Sequence, residues 1–143
     1  IGQDINKVSW QLDFYEPENV KITSFNEMNG AIRMQEEDIF KKPERKVNEL
    51  DIDKVKIDLD RAVKKLEGYK KKKYPGESPT QKIFILQNLA AIVWNITYIN
   101  SSFNILNIKI NAMNGKVVED SLTPIMGFKD KKFDKSAFDK FIK

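Results

Sequence analysis

The chain must do any chemistry with carboxylates, lysines, hydroxyls and aromatic rings, because its 143 residues include no Cys and no His. That removes the thiol nucleophile, the thiolate metal site, the Ser-His-Asp triad and the commonest zinc ligand together. Ser, Thr, Lys and Asp nucleophiles exist, but no spacing places a base beside any of them. The sequence therefore predicts no catalytic residue, no metal ligand set and no cofactor-binding residue, and no enzymatic activity.

Four groups remain to be weighed. Asp51, Asp53, Asp58 and Asp60 cluster, but a calcium site wants oxygen ligands around a tight loop, usually with a Gly and a bidentate Glu. These four run along a linker into a helix, which reads as solvation and capping. Glu36, Glu37 and Asp38 read the same way. Lys70–Lys73, flanked by Tyr69 and Tyr74, have the charge to grip phosphates or an anionic membrane and the rings to stack on bases. The simpler reading is a solvated helix end that complements its dipole. A net charge of +4, with no second basic stripe, gives no expectation of a nucleic-acid partner. Trp10 and Trp94 could line a ligand groove; their alternation with Leu12, Phe14, Ile96 and Tyr98 assigns both to the core instead. Asn95-Ile96-Thr97 and Asn100-Ser101-Ser102 have the form of glycosylation sequons, and Asn100, in an expected loop, is the more accessible.

The elements that position these residues follow from periodicity. Trp94, Ile96 and Tyr98 alternate with Asn95 and Thr97; Leu106, Ile108 and Ile110 alternate with Asn107, Lys109 and Asn111. A period of two with β-branched and aromatic residues predicts half-buried strands. Asn114-Gly115 supplies the pair that accepts positive φ in a hairpin, and Val117 and Val118 resume the apolar pattern. Ile83–Leu86, within a strand over Gln81–Asn88, is apolar on both faces, as in a central strand. Leu59, Ala62, Val63, Leu66 and Tyr69 share one face of a helix over Asp58–Lys72, with Asp58 as N-cap and Pro75-Gly76 as the stop. Thr123-Pro124 ends the meander. Lys129–Lys143 has Phe133, Ala137, Phe138 and Phe141 at helical spacing and predicts an amphipathic C-terminal helix or tail.

The central meander has a weaker copy near the N-terminus. Strands are expected over Lys7–Tyr15, Val20–Phe25 and Ala31–Gln35, with a turn at Glu16–Asn19 and a connector over Glu36–Asp53. Trp10, Leu12 and Phe14 stand where Trp94, Ile96 and Tyr98 stand, and Met28-Asn29-Gly30 matches Met113-Asn114-Gly115. Trp and Gly are 20 residues apart in the first copy (30 − 10) and 21 in the second (115 − 94). The extra residue falls in a loop or bulge. The expected organisation is a first, incomplete repeat with its connector over 1–50, a second repeat over 51–128 and the tail over 129–143. The fold class is α+β: antiparallel meanders, pseudo-duplicated, with one principal helix packed on the sheet.

A helix, a strand, a Trp-led strand and a strand ending in this turn resemble the PepSY domain family. The resemblance rests on Ile57–Val63, Val93-Trp94-Asn95-Ile96 and Ile108–Val118 and covers about residues 53–122, with a partial second match over 8–34. Asn111 stands where Asp is usual, and Asn114 where Thr is usual. The resemblance implies a small cystatin-like α+β fold with the helix across a curved sheet, and no catalytic residues. It also implies an extracytoplasmic setting, secreted or membrane-anchored. Ile1 is not an initiator Met, so a leader or anchor is expected to have been removed. The function expected is a non-enzymatic binding module that engages a protein, such as a peptidase, by strand addition or by covering a cleft. The alternative is a structural or assembly repeat of a larger envelope protein, and an unusual hydrolase ranks last.

Overall fold

The computed structural model describes residues 10–38 and 47–126. The chain divides into two compact units between Val47 and Asn48, three residues before the expected boundary. Each unit has its own antiparallel sheet, so the fold is α+β, with two sheets and one α-helix among the described residues.

The first unit is a three-stranded meander, β1 (Gln11–Glu16), β2 (Lys21–Met28) and β3 (Ala31–Asp38), paired in sequence order. The acidic run Glu36–Asp38, expected in the connector, belongs to β3: Thr23 pairs with Glu36 and Lys21 with Asp38. Met28 and Ala31 pair across a two-residue turn in which Asn29 (φ 54°) and Gly30 (φ 76°) both take positive φ. This geometry matches the right-handed twist of the strands, which is why Asn-Gly suits it.

The second unit holds a 3-10 turn (Ile52–Lys54), α1 (Leu59–Lys73), β4 (Pro79–Asn88), β5 (Ile92–Asn100), β6 (Asn104–Asn111) and β7 (Val117–Pro124), with sheet order β4-β5-β6-β7. Register puts Leu86, Trp94 and Ile110 in one row across the sheet, and Phe84, Ile96, Ile108 and Asp120 in the next. Directly opposed antiparallel residues share a face. On that face Ile96, Tyr98, Ile108 and Ile110 are fully buried, under the Leu59, Ala62 and Leu66 stripe of α1. The helix starts where Asp58 accepts from the Arg61 N–H at 2.8 Å, satisfying one of the free donors of the first turn. Its entry is pinned by Ala112, whose carbonyl accepts from the N–H groups of Lys56 and Ile57 at 2.9 Å each. Trp94 Nε1 closes the corner by donating to the Ile57 carbonyl at 2.8 Å.

Two expectations for this unit are corrected. Ile83–Leu86 lies on β4, an edge strand rather than a central one. Its apolar residues are half-buried, and among the described residues one long side of the strand has no neighbour in the sheet. In the β6–β7 connection only Gly115 takes positive φ (76°). The loop is longer than the Asn29-Gly30 turn: Asn111 N–H donates to the Lys116 carbonyl at 2.8 Å. Within it, Asn111 Oδ1 accepts from the N–H groups of Met113 (2.8 Å) and Asn114 (3.2 Å). The expected C-terminal helix over 129–143 lies outside the described residues, as does the connector segment 39–46.

Candidate functional site

The first sheet has two unlike faces. Register places Leu12, Phe25 and Met34 in one row, Phe14, Thr23 and Glu36 in the next, and Glu27 beside Ile32. Phe14 and Phe25 touch edge to face at 5.7 Å between centroids. On the other face lie Asp13, Ser24 and Gln35 in one row and Tyr15, Ile22 and Glu37 in another. There Asp13 Oδ1 accepts from Ser24 Oγ at 2.6 Å and from Gln11 Nε2 at 2.8 Å.

The apolar face is open. Trp10 is 53% exposed, Leu12 58%, Phe14 59%, Met34 63% and Ile32 78%. This corrects the assignment of Trp10, Leu12 and Phe14 to a core. In the second unit α1 covers the matching residues; among the described residues of the first unit there is no helix. The sequence signal that could have shown this is parity. Glu27 alternates in phase with Phe25, and Glu36 in phase with Ile32 and Met34, and a sealed core would not carry two unpaired glutamates.

Trp94 matches its expectation, at 4% exposure. The acidic residues cap: Asp51 accepts from the Asp53 N–H at 3.1 Å and Asp58 starts α1. Among the described residues no three acidic side chains form a group that could hold a metal ion. The sequon expectation reverses. Asn100 is the last residue of β5, only 2% exposed, and neither of its amide atoms has a partner. Asn95 is half-buried and accepts from Asn107 Nδ2 at 2.7 Å.

The Lys70–Lys73 cluster ends in a knot around Asp120, which the sequence did not single out. Lys73 Nζ lies 2.7 Å from Asp120 Oδ2, and the same oxygen accepts from Tyr74 at 2.7 Å and Tyr69 at 3.1 Å. Lys73 Nζ sits 5.7 Å from both ring centroids. The Lys73 ammonium, then the Tyr74 hydroxyl, hold the Asp120 carboxyl below its ordinary value of 3.8. Asp120, then Tyr69, push the Lys73 ammonium well above its ordinary range, so it stays protonated and is no nucleophile at neutral pH. The tyrosines that flank the lysines are tied into this knot, where a stacking platform would need their faces free.

The geometry thus gives a pinned polar knot beside one covered sheet, and one uncovered apolar sheet. No protein-family model matches the chain, and comparison with curated proteins and with solved structures finds no match.

Proposed function

We propose that the chain is a non-enzymatic, PepSY-like binding module, acting outside the cytoplasm, that engages a polypeptide through the open apolar face of its first sheet. The observation that carries this reading is the exposure of Trp10, Leu12, Phe14, Ile32 and Met34 on one face. Covering five such half-exposed side chains gains about 1 kcal/mol each, roughly 5 kcal/mol in all, against the cost of association.

The occupant is a cationic amphipathic helix of a partner protein. Charge argues for the sign: between Gln11 and Asp38 seven carboxylates face two cations, and Glu27 and Glu36 lie on the apolar face itself. The chain's own second unit supplies the precedent for shape, with a lysine-rich helix over the matching Trp94, Ile96 and Tyr98. Asn111 also supports the resemblance: it stands where Asp is usual in the family and supplies the acceptor oxygen that either residue offers. A peptidase is the partner class that the resemblance implies.

Trp10 reports on the test. In a Trp94→Phe background its fluorescence is followed while a Leu/Lys amphipathic peptide is added to the full chain, with a Leu/Glu peptide of the same pattern as control. A saturable blue shift with the first peptide, at one-to-one stoichiometry and lost on Leu12→Asp, supports the proposal. No shift, or an equal shift with the Leu/Glu peptide, overturns it.

A further inference from the structure

A second surface lies in the second unit and stands whether or not the first sheet takes a partner. One flank of α1, the β6–β7 loop and the start of β7 border a shallow, open groove of ≈ 340 Å³. Lys64, Lys65 and Lys72 form its rim, Tyr69 and Val117 its walls. The two remaining lining residues are Gly68 and Gly115. A Cβ on Gly68 would meet nothing within 4 Å. A Cβ on Gly115 would fall 2.7 Å from Lys65 Cε, so the Lys65 stem lies directly across the loop. Glycine inside a helix is unfavourable, and at Gly68 a larger side chain has open space to extend into on the groove side.

The charge in the groove is unbalanced. The neighbouring carboxylates of β7 are already taken, Asp120 by Lys73 at 2.7 Å and Glu119 by Lys109 at 2.7 Å. Glu67, on the same helix, accepts from the Tyr98 hydroxyl. Among the described residues Lys64, Lys65 and Lys72 meet no carboxylate. Tyr69, hydrogen-bonded to Asp120, is a fixed wall rather than a mobile ring.

We propose that this groove binds an acidic peptide segment in extended form. Spacing decides against a compact oxyanion. Lys64 and Lys72 are eight residues apart on the helix, about 12 Å along its axis. That is the length of three or four extended residues, whose like-facing side chains recur about every 6.6 Å. A single phosphate wants donors converging on one point; these are strung along a line.

The probe is the hexapeptide Ac-EAEAEA-amide, titrated into the full ¹⁵N-labelled chain at low salt, with Ac-KAKAKA-amide and inorganic phosphate as separate arms. Amide shifts at Lys64, Lys65, Gly68 and Gly115, with affinity falling at least fivefold from 20 to 200 mM salt, are the expected result. Lys65→Gln/Lys72→Gln weakens binding about tenfold, and Lys71→Gln, outside the groove, leaves it unchanged. Gly68→Leu fills the groove without touching a charge and favours the helix; it weakens binding at least fivefold in a chain that melts no lower than wild type. Equal binding by Gly68→Leu overturns the groove, equal binding by the lysine peptide overturns the charge, and equal shifts from inorganic phosphate overturn the peptide. Absence of shifts at millimolar peptide overturns the proposal as a whole.

Discussion

Tyr98 is the core residue whose polar end can be removed with least disturbance to its packing. The ring is fully buried and meets Phe84 edge to face at 6.4 Å, and its hydroxyl donates to Glu67 Oε1 at 2.9 Å. Tyr98→Phe keeps the ring and deletes the hydrogen bond. Bonds to charged groups are worth about 1.5–3 kcal/mol. Glu67 is half-buried and can turn to water, so the lower figure applies. The expected loss is about 1.5 kcal/mol, which for a unit of about a hundred residues lowers Tm by roughly 6–12 °C. Urea unfolding followed by Trp94 fluorescence in a Trp10→Phe background measures it. Combining Tyr98→Phe with Glu67→Gln should lose clearly less than the two single losses added.

The same hydroxyl predicts an alkaline signature. Burial, then the Glu67 carboxylate, pushes the Tyr98 phenol far above its ordinary value of 10.0. The unfolded chain releases that proton near pH 10 and the folded chain does not, so this contribution is complete below pH 10 and falls as pH rises beyond it. The fall is about 1.4 kcal/mol per pH unit for one proton. Tyr98→Phe has no such fall, so the wild-type advantage vanishes about one unit above pH 10. A loss under about 0.5 kcal/mol at pH 7, full additivity with Glu67→Gln, or a wild-type advantage unchanged at pH 11 would refute the reasoning.

Three further outcomes follow from single residues. Asp120→Asn removes a carboxyl held low by Lys73; that stabilisation is present above pH 4 and lost as pH falls further, so acid unfolding curves of wild type and variant, separate at pH 7, should approach each other as the pH drops below 4. Gly68→Ala should stabilise the helix by about 0.5–1 kcal/mol. Gly115→Ala, at φ 76° and against Lys65, should cost about 1–2 kcal/mol, and thermal melts of the pair read the opposite signs directly. Val20, a β-branched residue at φ 53° at the end of the β1–β2 turn, is strained, and Val20→Gly should relieve about 1 kcal/mol while hydrogen exchange of β1 and β2 slows.

Much of the second unit was legible because its signals are local and agree. Asp58, the Leu59-Ala62-Leu66 stripe and Pro75-Gly76 mark α1 to within a residue, and the alternation around Trp94 marks β5 and its covered face. What was illegible depends on partners distant in sequence. Whether Ile83–Leu86 sits inside or at the edge of a sheet is decided by which strands pair, and no periodicity carries that. Asp120 reads as one more carboxylate on a polar strand until register places it beside Ile108, under Tyr69 and Tyr74. Asn100 follows a strand pattern and precedes Ser101-Ser102, so it reads as loop; its burial comes from a turn that folds back, with Ser101 N–H donating to the Ser78 carbonyl at 2.9 Å.

The two meanders sharpen the point, because similar sequence meets different surroundings. Met-Asn-Gly closes a two-residue turn after Met28 but belongs to a longer loop after Met113. The difference starts upstream, where Asn111 turns its side chain onto the Met113 and Asn114 amides and ends the strand early. The first copy has Asn26 at the matching place, but there the side-chain oxygen is buried without a hydrogen-bond partner, Asn26 stays paired with Arg33, and the strands run on to the turn. Alternation of Trp10, Leu12 and Phe14 fixes which face they share, and says nothing of whether that face is covered. A covered face requires an element to cover it, and the in-phase glutamates Glu27 and Glu36 are the charges that the proposed cationic helix would meet on this one. If so, replacing both by Gln should raise the affinity of the sheet for a neutral amphipathic helix while lowering it for a lysine-rich one, a reversal that general stickiness of exposed aromatics could not produce.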